Sequence, residues 1–79
     1  MIINYSMTNN KEIKSHYAEL RSEIQSISYS GALDSIEHRS KSFAKRFDDP
    51  SIKNSLKKKA YQEHSKTLKA LAKRRKQLK

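Results

Sequence analysis

From Ile13 to Ile27 the large apolar residues Ile13, Tyr17, Leu20, Ile24 and Ile27 fall at intervals of four, three, four and three. That rhythm puts them on one stripe of a helix with about 3.6 residues per turn, whereas a half-buried strand needs alternation. A second run repeats it: Leu33, Ile36, Ser40, Phe43 and Phe47 are spaced three, four, three and four, with Ser40 the one polar member. A third series, Ile52, Leu56, Ala60, His64, Leu68, Leu71 and Leu78, stays on one face at about 100° per residue. It is leaner, with Tyr61 the one aromatic in its segment and Lys57 and Arg75 turned toward the stripe. A chain of 79 residues with a single glycine and a single proline is therefore expected to be one small all-α domain of three helices.

Local signals set the expected boundaries. Asn9 is a good N-cap and Glu12 stands three residues on, as in a capping box, with Thr8 as the alternative cap; the first helix is expected over 10–28. Gly31 follows Ser28-Tyr29-Ser30 where a helix end wants a residue tolerant of positive φ. The second helix is expected over 32–47, with Asp34 and Glu37 near its start and Lys45 and Arg46 near its end, a polarity that complements the helix dipole. Asp48-Asp49-Pro50 closes it, and Asp49 as N-cap with Pro50 as first residue opens the third helix. The turns after about residue 72 are expected to fray.

The resulting plan is a neutral helical hairpin over 9–50 and a longer basic C-terminal helix over 51–79, preceded by an N-terminal segment, 1–8. Ile2, Ile3, Tyr5 and Met7 in that segment either pack over an end of the bundle or stay mobile. An up-down-up bundle is the compact arrangement. The core of so short a chain is small, and a homodimeric helical bundle built from two hairpins is a second way to bury the seams of the first two helices.

Charge divides along the same line. Residues 1–50 hold seven Lys or Arg and seven Asp or Glu, while residues 51–79 hold eleven Lys or Arg and only Glu63. The whole net charge of +10 thus belongs to the third helix. Lys58, Lys66, Lys69, Lys73 and Lys76 fall within about 80° of arc opposite the apolar stripe, as a row roughly 25 Å long. Lys59, Arg74 and Arg75 flank it. Duplex DNA carries one charge per ~1.7 Å of axis, so such a row meets several phosphates. Arg74 or Arg75 is the candidate for a two-pronged contact to phosphate or guanine, because guanidinium has the planar fork. Lysine outnumbers arginine in the segment, which suits backbone contacts more than base readout.

Other chemistries find little footing. Cysteine is absent, which excludes a disulfide or a Cys-based zinc site, and one glycine cannot build a phosphate-cradling loop. His16, His38 and His64 occur one per helix with no ligand spacing among them, so no metal, cofactor or catalytic residue is expected and the chain is not expected to be an enzyme. No apolar run of about 18 residues is present to span a membrane, and the first residues lack the pattern of a secretory signal, so a cytoplasmic setting is expected. The expected function is nucleic-acid binding, to DNA or RNA, mainly through backbone phosphates, in a regulatory or accessory role. The alternative is a helical interaction module, an inhibitor or adaptor, that docks its basic face on an acidic protein surface.

Overall fold

The computed structural model of the protein describes residues 9–78. Among these residues three helices follow in order: α1 (Asn10–Ser26), α2 (Ser30–Lys45) and α3 (Asn54–Gln77), with a turn of 3-10 helix, Arg46–Asp48, extending α2. No strand is present among the described residues. The domain is all-α. Residues 1–8, with the apolar segment considered above, lie outside the described residues.

α1 begins as its cap predicts. Asn9 is extended, and its Oδ1 accepts the Glu12 N–H at 3.0 Å, satisfying one of the free donors of the first turn. Its seam Ile13, Tyr17, Leu20 and Ile24 is buried, and so are Leu33, Ile36, Ser40 and Phe47 from the second run, together with Ala44, which the run did not include. Phe43 is half-buried and packs edge-on to both Tyr17 and Phe47, with ring centroids 5.5 Å apart in each pair. These seams are covered within one chain by α3, which packs most extensively against α1 and next against α2. The molecule is elongated, with extents of 44 × 26 × 17 Å.

The structure corrects four boundaries or faces. α1 stops at Ser26, and Gly31 is in the first turn of α2, not at the end of α1; no described residue has positive φ. The chain leaves α1 through an extended Ile27, whose carbonyl accepts Arg74 Nη2 at 2.7 Å and Nε at 3.2 Å. A side chain from α3 thus closes the end that a glycine was expected to close.

Second, α3 starts at Asn54, not Pro50. Asp49 does cap, but it caps a turn: its carboxylate accepts the Ser51 N–H at 2.9 Å and the Ser51 hydroxyl at 2.8 Å, while its carbonyl accepts the Ile52 N–H at 3.0 Å. The path then leaves helical geometry at Lys53, with ψ of 137°, before α3 is nucleated.

Third, the buried face of α3 is rotated from the expected stripe. Ala60, Glu63, Thr67 and Leu71 point inward, and Leu68 does not. Fourth, the last turns do not fray: α3 is helical to Gln77, tied down by Arg74 and by Arg75, which meets Asp34 at 2.7 Å and Glu37 at 2.8 Å.

Candidate nucleic-acid interface

The outward side of α3 is made by what its inward side must do. Arg21 of α1 reaches across to α3, placing Nη2 3.0 Å from Glu63 Oε1 and Nη1 3.3 Å from the Thr67 hydroxyl. Thr67 in turn donates to the Glu63 carbonyl at 2.9 Å. With Glu63 and Thr67 held inward, the helical step turns residues 58, 62, 65, 69, 72 and 76 to solvent. All six are exposed.

The eight basic residues expected to form the site separate into three groups. Lys58, Lys69, Lys73 and Lys76 are exposed and make no ion pair among the described residues. They form the ridge proper. Lys66 belongs to the same ridge but also contacts Glu63 Oε2 at 3.2 Å, and Lys59, on the flank, stands 3.4 Å from the same oxygen. Arg74 and Arg75 are engaged inside the fold, the first on the Ile27 carbonyl and Gln77, the second on Asp34 and Glu37. Both forks that were the candidates for guanine or phosphate contacts therefore serve the bundle. The Glu37 hydrogen bond, with help from Asp34, raises the Arg75 pKa further above its ordinary value.

Glu63 is the residue whose role the periodicity missed. It is fully buried yet charged. Burial pushes its carboxyl pKa up, but the Arg21 guanidinium and the Lys66 and Lys59 ammonium groups beside it outweigh that push and hold it below the ordinary value. An unpaired buried carboxylate would be untenable; three cationic partners make it tolerable. The available signal was its isolation as the lone acidic residue of the segment, with Lys59 four residues before and Lys66 three after.

The histidines lie in three different surroundings. His38 is exposed. His16 stacks on Phe43 at 3.8 Å, and burial followed by the nearby Arg39 charge lowers its pKa. His64 Nδ1 shares a hydrogen bond with the Ser40 hydroxyl, and burial lowers its pKa as well. Ser40, the polar member of the α2 seam, also accepts the Tyr17 hydroxyl on its carbonyl at 2.7 Å, so its burial is hydrogen-bonded throughout. No helix among the described residues is long and apolar enough to cross a membrane. No protein-family model, curated protein or solved structure matches the chain.

Proposed function

We propose that the protein binds nucleic acid through backbone phosphates, using the α3 ridge, in a regulatory or accessory role and in a cytoplasmic setting. The observation that carries the proposal is the ridge itself. Lys58, Lys69, Lys73 and Lys76 stand exposed and unpaired among the described residues, with Lys66 between them, on the side of α3 turned away from α1 and α2. Ammonium groups on flexible stems suit phosphate, and releasing the counterions of several phosphates supplies affinity without base contacts. Engagement of Arg74 and Arg75 inside the bundle favours sequence-tolerant binding. Tyr61, whose hydroxyl donates to Asp48 at 2.9 Å, lies to one side of the ridge, so stacking on bases contributes little. The activity is binding, with no catalytic residue, metal or cofactor assigned.

A mobility-shift titration at two salt concentrations tests the proposal. Four or five neutralised phosphates on duplex DNA imply a slope of log K against log salt of about −4, so affinity falls by roughly 150- to 500-fold between 50 and 200 mM salt. Absence of a shift with DNA and RNA at the lower salt overturns it.

A further inference from the structure

α3 buries polar side chains and shows apolar ones. Glu63 and Thr67 are fully buried, whereas Tyr61 and Leu68 are each 37% exposed and Ala72 lies open beside them. Singly exposed apolar residues are ordinary on a protein surface. Two further observations set these apart. Tyr61, Ser65, Leu68 and Ala72 follow one another at intervals of four, three and four, the spacing with which one helix seats another. All four are exposed, so this second seam of α3 is unused among the described residues. Ser65 and Ala72 are small enough to let a neighbouring backbone come close.

The borders of the seam say what fits it. On one side run Lys58, Lys69 and Lys76, all exposed. On the other stand Lys57 and, from α2, Lys41. That side also carries Asp48, which accepts from Tyr61 and lies 3.8 Å from Lys57, and Asp34 and Glu37, both bound by Arg75, so its charges largely cancel. A second copy of this chain would bring lysines against lysines across the seam, which is repulsive at the flanking positions of a helix pair. A helix with an apolar seam and Asp or Glu along one flank meets complementary charge on the Lys58, Lys69 and Lys76 border.

We propose that the Tyr61–Ser65–Leu68–Ala72 strip of α3 is a docking seam for an acidic amphipathic helix of a protein partner, with Lys58, Lys69 and Lys76 meeting its flanking carboxylates. The seam stands independently of nucleic-acid binding. Where both occur they exclude each other, because they draw on the same lysines.

The test uses the full chain and two labelled synthetic peptides of about three heptads. One carries Leu at the seam positions and Glu beside them; the other has the same composition scrambled so that no stripe forms. A labelled DNA duplex is titrated in parallel by fluorescence anisotropy. The patterned peptide should bind at least about tenfold more tightly than the scrambled one, since charge alone does not distinguish them. Leu68→Ser, a neutral change at an exposed position, should weaken the patterned peptide by about fivefold or more while leaving the duplex affinity unchanged. Ser65→Gln, which fills the seam, is the second variant and should do the same. Equal binding of the two peptides, unchanged binding by both variants, or no peptide binding overturns the seam. Duplex binding without peptide binding overturns the seam and leaves the ridge; peptide binding without duplex binding supports the seam and sinks the ridge.

Discussion

Glu63 joins the fold to the surface. Its carboxylate anchors Arg21 from α1 and draws Lys59 and Lys66 along α3, so removing the charge affects both stability and the field of the ridge. Glu63→Gln keeps the shape and loses the charge. It should cost about 1–3 kcal/mol in urea unfolding, because the buried amide satisfies the three cations poorly. The same variant should bind duplex DNA more tightly at low salt, having released Lys59 and Lys66. Gly31 gives the opposite case. It sits in the first turn of α2 without positive φ, and an added Cβ would meet only the Tyr29 ring at an ordinary 3.6 Å. Gly31→Ala should therefore stabilise by about 0.4–1 kcal/mol, measured in the same assay. Residue-scale features were legible where the partner is close in sequence. The Asn9 cap on Glu12 was readable, and so was the spacing of Lys59 and Lys66 around Glu63. The burial of Glu63 and the closure of α1 by Arg74 were not, since each depends on a residue from another helix.

At the scale of elements, α1 and α2 have apolar seams, and their spacing gives the buried face directly. α3 differs because its inward face mixes Ala60 and Leu71 with Glu63 and Thr67. An apolar pattern then draws Leu68 into the stripe, although the helix is turned by the Arg21 contacts to leave Leu68 outside. The start of α3 was hidden for a related reason: Asp49 and Pro50 signal a beginning, but the turn they make ends before the helix does begin. The ridge lysines were legible because solvent-facing charge follows from helical step alone. Replacing Lys58, Lys69, Lys73 and Lys76 by Ala should keep or raise the helicity seen by circular dichroism, as Ala is the better helix former, while the salt-dependent shift of a DNA duplex is lost. Leu20→Ala, in contrast, empties a site only 1% exposed in α1 and should cost about 2–5 kcal/mol, enough to unfold much of so small a domain.

For the whole molecule, acid acts in two stages. His16 and His64 are held below their ordinary 6.5, mainly by burial, so the unfolded chain binds protons that the folded one resists. Stability should then decline as pH drops through about 6.5. Glu63 is held below its ordinary 4.5 by its three cations, and Glu23 by its Arg39 pair, so a second loss begins below about that value. Melting temperatures from pH 8 to pH 3 should show both steps. His16→Phe, which preserves the stack on Phe43, should reduce the first and leave the part due to His64.

The packing of α3 chiefly on α1 has a consequence for how the chain acquires its shape during synthesis. The hairpin is continuous in sequence, yet its two helices touch each other less than either touches α3. A nascent chain that has exposed only residues 9–50 outside the ribosome has no third wall for Ile13, Tyr17, Leu20 or Leu33 to lean on. Folding must wait until α3 emerges, since Arg74, which closes the end of α1, belongs to that helix. A peptide of residues 9–50 should accordingly show little helix by circular dichroism. The part of the molecule that carries the charge is also the part that completes the core.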